Sequence, residues 1–309
     1  MSRVLFMGTP DYATTIFEVL LKDDFNLVGL FTQPDKPVGR KQILTPPHVK
    51  QYCLDKSIDI PIYQPQKLRN NEEVVEQIKA LQPDFIVVAA YGQILPKVIL
   101  DMAPCINLHA SLLPKYRGAS PIQEAILNDD AYLGVTSMLM NEGLDTGDIL
   151  GFQYIQNEDG LLVEKAFEKL SNVAATLCIQ TLKQFHTIKP MVQNSAQSSH
   201  CKKIKKSDGE VSFKEARKVF LQFKAYHFWP GIFTSQGLKL KSIELIENES
   251  LNRAGEILKV EKEALVIGCE KGTIKLKSVQ LPSKKAMSVS DFLKGHQHIK
   301  AGMNLLEIS

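Results

Sequence analysis

The stretch Glu72-Glu-Val-Val-Glu-Gln-Ile-Lys-Ala-Leu-Gln-Pro-Asp-Phe-Ile-Val-Val-Ala-Ala90 changes its period halfway along. From Glu72 to Leu81 the apolar residues Val74, Val75, Ile78 and Leu81 fall three or four apart, which gathers them on one face of a helix. From Asp84 to Ala90 the apolar run is unbroken, as in a parallel strand buried on both faces. The alternation continues in both directions. Arg3 to Met7, Asn26 to Thr32, Cys105 to His109 and Leu133 to Met140 read as strands, while Tyr12 to Lys22 and Pro121 to Asn128 read as helices. Such β/α alternation implies an α/β fold, a Rossmann-like open and mostly parallel sheet with helices on both faces.

Further along the pattern changes. A helical stretch is expected from about Gly160 to Phe185, and His186 to Lys206, rich in Ser, Gln and Lys with Pro190, reads as a linker. Beyond it come a helix over Lys214 to Tyr226 and short strands at Leu238 to Ile246, Gly255 to Val260, Ala264 to Gly268 and Thr273 to Lys277. These predict a small antiparallel β-barrel of OB-like type. The expected division is a first domain over 1–188, a basic linker over 189–206 and a second domain over 207–309. A length of 309 residues suits two domains.

With 44% hydrophobic and 23% charged residues, the chain can build a core, and fibrous or disordered classes are excluded. No apolar run approaches the roughly 20 residues that cross a bilayer. The N-terminal run breaks at Gly8-Thr-Pro10, unlike a signal peptide, so a cytoplasmic protein without membrane contact is expected. Cys53, Cys105, Cys178, Cys201 and Cys269 are odd in number and lack a C-x-x-C pair, which argues for reduced thiols and against a disulfide framework or a metal site. The net charge of +3 divides unevenly. Residues 1–200 hold 17 Lys+Arg against 22 Asp+Glu, and residues 201–309 hold 20 against 12. The basic last third suits contact with a polyanion, nucleic acid or a membrane surface; a solvated lysine-rich face has the same composition.

In an open parallel sheet, ligands bind beyond the carboxyl ends of the strands. Gly8-Thr-Pro-Asp11, after the first strand, is a tight turn into a helix but lacks the spacing of a dinucleotide or phosphate loop. Asn107 and His109 lie two apart on a strand, so an amide donor and a titratable imidazole project from one face. Asn141-Glu-Gly-Leu-Asp-Thr-Gly-Asp148 follows the next strand, with Asp145 between two glycines that permit sharp bends, and it lacks the spacing of a calcium loop.

Asn107-Leu-His109 with Ser111-Leu-Leu-Pro114, Arg117-Gly-Ala-Ser-Pro-Ile-Gln123 and Gly143-Leu-Asp-Thr-Gly-Asp148 resemble the signature of the folate-dependent formyltransferases. The match extends through Gly8-Thr-Pro-Asp11, Phe31-Thr-Gln-Pro-Asp35 with Gly39-Arg40, Ala90-Tyr-Gly-Gln-Ile-Leu-Pro96 and His227-Phe-Trp-Pro-Gly231, covering essentially the full length. Together they resemble the branch that formylates methionine carried by initiator tRNA. The resemblance implies transfer of the formyl group of 10-formyltetrahydrofolate to that amine, in support of translation initiation, with Asn107, His109 and Asp145 as the catalytic residues. Asn107 and His109 would meet the oxygen that gains charge, and Asp145 would accept the amine proton or orient His109. Ser111, Leu112, Leu113 and Pro114 are implied to contact the folate, with Tyr91 and Met140 flanking its pterin. Arg40 and Lys41, and Lys203 and Lys206, are the implied tRNA contacts. A monomer is expected. Tyr116 stands where many relatives carry Trp, and His227-Phe228 where Asn-Pro or a similar pair is common, both away from the three catalytic positions. Glycinamide ribonucleotide or an amino sugar as acceptor would use the same three residues, and a catalytically idle RNA-binding module could keep the fold.

Overall fold

In the computed structural model, which describes residues 1–39 and 41–308, the chain opens with β1 (Arg3–Gly8), α1 (Asp11–Lys22) and β2 (Asn26–Phe31). A hairpin of β3 (Lys36–Val38) and β4 (Ile43–Thr45) follows, then α2 (His48–Asp55), β5 (Ile62–Tyr63), α3 (Glu72–Leu81) and β6 (Phe85–Ala89). The hairpin lies between β2 and α2. The α3 boundaries follow from local chemistry. The Asn71 side chain accepts from the Val74 amide at 3.2 Å, a cap that contributes about 1 kcal/mol, and Gln82 closes the helix in the left-handed conformation. Val74 and Ile78 form its buried face, and every residue of β6 is buried.

Next come α4 (Lys97–Leu100), β7 (Cys105–His109), β8 (Arg117–Gly118), α5 (Pro121–Leu127), β9 (Tyr132–Leu139), β10 (Asp148–Gln156) and α6 (Val163–Gln184). The main sheet has the order β10-β9-β7-β6-β1-β2-β5. Its pairs from β7 through β5 are parallel, whereas β7 with β9 and β9 with β10 are antiparallel. The apolar content of β9 marks burial and carries no sign of direction. From β1 the chain runs outward through β2 to β5 and then returns to β6 and β7, so the order reverses beside β1. The carboxyl ends of β1, β6 and β7, at Gly8, Ala89 and His109, border that crevice.

The segment 189–206 carries structure of its own. In it, β11 (His200–Cys201) pairs in parallel with β8, and Met191 exchanges two backbone hydrogen bonds with Ile149. Its Ser, Gln and Lys content reads as a linker because these partners lie more than 40 residues away in sequence.

The remaining chain contains α7 (Ala216–Tyr226), β12 (Ile232–Phe233), β13 (Lys239–Leu251), β14 (Ile257–Val260), β15 (Leu265–Gly268), β16 (Lys271–Gln280), β17 (Met287–Ser288) and α8 (Val289–Gly295). The strands build an antiparallel sheet in the order β12-β13-β16-β15-β14, with β17 on β16. Two compact units result. One comprises residues 1–121, 132–156 and 166–202; the other comprises 122–131, 157–165 and 203–309. The two short stretches group with the second unit through ion pairs and a buried lysine. Arg217 bonds Asp129 at 2.7 and 2.8 Å and Asp159 at 2.8 Å, and the Lys224 ammonium donates to the Glu158 carbonyl at 3.0 Å. Burial holds the Lys224 ammonium below the usual lysine range.

No helix among the described residues is long and apolar enough to cross a membrane. All five cysteines are buried. Burial pushes the Cys53 thiol up to about 11 and the Cys105 and Cys269 thiols up to about 12. Because the thiolate is the nucleophile, the folded protein at pH 8 should leave essentially all five thiols unreacted with a disulfide reagent, and the denatured protein should titrate all five. Rapid reaction of several thiols in the folded state would contradict this packing.

Candidate active site

Asn107 and His109 occupy the carboxyl-terminal half of β7, and Asp145 comes to them from the segment between β9 and β10. One carboxylate oxygen of Asp145 lies 3.4 Å from the Asn107 amide nitrogen and 3.7 Å from His109 Nδ1. The other accepts the Gly118 N–H at 2.9 Å. The three residues singled out by the sequence therefore converge on one carboxylate. Asp145 is 9% exposed and His109 7%, while Asn107 is half-buried.

The histidine tautomer follows from its partners. His109 Nε2 lies 3.0 Å from the Tyr116 carbonyl, which can only accept, so Nε2 carries a hydrogen. This leaves Nδ1 as the nitrogen that faces Asp145.

Local turns shape the Asp145 segment. Asn141 Oδ1 accepts the Gly143 amide at 3.0 Å and the Thr146 hydroxyl at 2.7 Å, closing a turn that places Asp145 in the left-handed region at φ 53°. Gly147 is required by close approach, since a Cβ there would meet the Leu139 carbonyl oxygen at 1.8 Å.

The partners of this site include residues that sequence reading passes over. Arg117 is buried, and its Nε and Nη2 donate to Gln193 Oε1 at 3.1 and 2.7 Å. Gln193 Nε2 donates to the Asp145 and Gly147 carbonyls at 2.9 and 2.7 Å. Ser199 accepts the Tyr116 amide through its hydroxyl and the Arg117 amide through its carbonyl, both at 2.9 Å. The motif around Arg117 draws attention to that residue; no local signal marks Gln193 or Ser199.

The expected folate contacts divide by role. Leu113 packs with Met138 and Ile149, and Met140 covers that cluster and also borders the main core cluster that contains Tyr91. The Tyr91 ring is buried in that core, and its carbonyl is taken by Thr9 Oγ1 at 3.2 Å and Gln33 Nε2 at 3.1 Å. Burial pushes the Tyr91 hydroxyl far above the usual tyrosine range. Ser111 Oγ donates to the Lys115 carbonyl at 2.6 Å, so its hydroxyl serves the turn that carries Leu112 and Pro114. Leu112 packs against Gly134 of β9. Lys41 is exposed in the first unit, Lys203 and Lys206 are exposed in the second, and Arg40 lies outside the described residues. Among the described residues no group of three or more His, Cys, Asp or Glu is arranged to hold a metal ion.

Residues 2–182 match the family model described as formyl transferase, and residues 203–297 match the one described as formyl transferase, C-terminal domain. A methionyl-tRNA formyltransferase of a Nitratiruptor species is 56% identical over 302 residues, covering 97% of this chain and 98% of its own. An N-formyltransferase from Helicobacter canadensis, solved with folinic acid and dTDP-3-aminofucose, has a TM-score of 0.66 at 17% identity and covers 90% of this chain and 99% of its own. HypX from Aquifex aeolicus, solved with tetrahydrofolic acid, has a TM-score of 0.59 at 16% identity; 94% of this chain is covered, and this chain spans 47% of HypX, about half its length. At such identities the two structures share the fold.

The close approach at Gly147 generates a stability prediction. Gly147→Ala should destabilise the protein by about 1–3 kcal/mol in urea unfolding, because the clash is with backbone. Gly160→Ala, with nothing within 4 Å of its Cβ, should stay within about 0.5 kcal/mol of the parent. Equal unfolding midpoints for the two variants would contradict the backbone path past Leu139.

Proposed function

The chain belongs to the formyl transferase family, and from that premise we propose that it transfers the formyl group of 10-formyltetrahydrofolate to the α-amino group of methionine on initiator tRNA. It is a formyl-transferring enzyme, and the 56% identity over nearly its whole length to a methionyl-tRNA formyltransferase supports that acceptor. Acceptors such as amino sugars are represented by a neighbour at 17% identity, which carries the fold alone. The observation on which the reading rests is the single Asp145 oxygen shared by Asn107 and His109.

The folate supplies an electrophilic formyl carbon whose oxygen gains negative charge when the amine adds. Asn107, half-buried on β7, supplies amide hydrogens toward such an oxygen, and losing one donor of this type costs about 10²–10³ in turnover. His109 keeps its Nε2–H on Tyr116, so its contribution is made through Nδ1. Asp145 faces that nitrogen and can accept the proton that the amine loses on adding, directly or through His109; as the tetrahedral carbon collapses, its bond to the folate nitrogen breaks and that nitrogen leaves with the proton as tetrahydrofolate. The Gly118 N–H holds the second Asp145 oxygen and fixes which oxygen is presented. Leu112, Leu113 and Pro114, on the turn after β7, are assigned to the folate, with Met140, partly buried over the Leu113–Met138–Ile149 cluster, and the Tyr91 backbone flanking its pterin.

For the tRNA, the division of labour assigns chemistry to 1–188 and phosphate contact to the basic segment 189–206 and the domain 207–309. Lys203 and Lys206 are exposed in that segment, and Lys41, beside Arg40, serves the acceptor end. Such contacts position a nucleic acid without reading its bases.

Purified protein given 10-formyltetrahydrofolate should formylate charged initiator Met-tRNA and leave free methionine untouched. Turnover of glycinamide ribonucleotide with no product on charged initiator tRNA would overturn the acceptor assignment. Asn107→Ala should reduce kcat by about 10²–10³ with little change in folate affinity, and an equal loss in both would contradict an oxyanion role. Replacing Lys203 and Lys206 together by Ala should weaken tRNA binding and flatten the slope of log K against log salt by about 1 per lost phosphate contact. An unchanged slope would place the RNA elsewhere.

A further inference from the structure

We infer that Gln193 is a positioning residue for the formyl-transfer reaction, holding the backbone that presents the Asp145 carboxylate. The inference rests on the proposed role of Asp145. Gln193 lies in the stretch 189–206, outside the folded sheet in sequence, and is 7% exposed. Its amide has only one satisfactory orientation. Arg117 can only donate and the two loop carbonyls can only accept, so Oε1 must face the guanidinium and Nε2 must face Asp145 and Gly147. Every polar atom of the side chain is used, and the two carbonyls it holds flank Thr146 on either side.

This arrangement does two things for the site. It fixes the chain direction at Asp145, a non-glycine residue at φ 53°, a conformation that persists only when its surroundings determine it. It also connects two grips on the same loop through adjacent residues: the Gly118 N–H holds the carboxylate, and Arg117 holds the backbone through Gln193. The guanidinium draws electron density toward Oε1 and strengthens Nε2–H as a donor, so the three groups act as a chain. Removing the donor would leave two carbonyls without their partner, and the loop would turn to find another. A shift of about 1 Å at Asp145 is enough to cost about 10²-fold in rate.

Gln193→Glu tests this directly. The new carboxylate keeps an acceptor for Arg117, so the buried cation stays paired, while its second oxygen meets the Asp145 and Gly147 carbonyls with no hydrogen to share. Gln193→Met, of similar length and without any donor, is the companion variant, and thermal unfolding of both establishes that they fold. Initial rates with formyl donor and charged initiator tRNA should show kcat lowered by about 10²-fold and both KM values within about 3-fold of the parent. On an Asp145→Asn background the same substitutions should change kcat by less than about 3-fold, because the group through which Gln193 acts is already lost. Equal fold-losses on both backgrounds, or a parent-like kcat in the folded variants, would overturn the positioning role. If Asp145→Asn alone retained the parental rate, the reading of Asp145 would fail instead, whatever the Gln193 variants did.

Discussion

A carboxylate that is largely removed from water must have its lone pairs occupied, and the arrangement around Asp145 follows from that requirement. One oxygen is met by the Gly118 N–H; the other is left to an amide at 3.4 Å and a ring nitrogen at 3.7 Å. The first contact is short and comes from backbone, so it fixes position. The other two are long and come from side chains, so they leave room for a reacting amine to draw closer. Catalytic hydrogen bonds often tighten only when substrate is bound, and the long Asn107 contact fits that pattern.

Backbone groups supply most of the constraint. His109 is oriented by the Tyr116 carbonyl, Asp145 by the Gly118 amide, and the segment 116–118 is itself held by Ser199 and by pairing of β8 with β11. The Ser120 hydroxyl donates to the Lys202 carbonyl, extending the contact. The polar stretch after α6 thus acts as a brace beneath the residues that orient the site. A strand of two residues would be marginal by itself; here it is stabilised by the side chains that bond across it.

This explains which parts of the molecule are legible in the sequence. The helix–strand alternation is visible because burial imposes a period, and Asn107 and His109 are visible as a pair because a strand places alternate residues on one face. Asp145 stands out through its flanking glycines. The antiparallel direction of β9 is hidden, since apolar content reports burial without orientation. Gln193 and Ser199 are hidden for another reason: each bonds a partner more than 40 residues away, and a Ser- and Gln-rich segment has the same composition whether its amides meet water or protein. The grouping of 122–131 and 157–165 with the second unit is equally silent, because Asp129 and Asp159 look like ordinary turn acids until Arg217 is placed between them.

On the roles proposed above, the burial of Asn107, His109 and Asp145 matches what formyl transfer demands of each. A base or charge-stabilising group gains strength where water is excluded, and Asp145 and His109 are nearly inaccessible. The donor that meets the developing oxyanion must instead reach a substrate that arrives from outside, and Asn107 is the one of the three that keeps surface exposure. Were all three equally buried, the formyl group could not approach the amide; were all three equally exposed, water would compete for the carboxylate. Strand β7 sets this gradient, carrying Asn107 two residues before His109 so that both side chains share a face while only one reaches solvent.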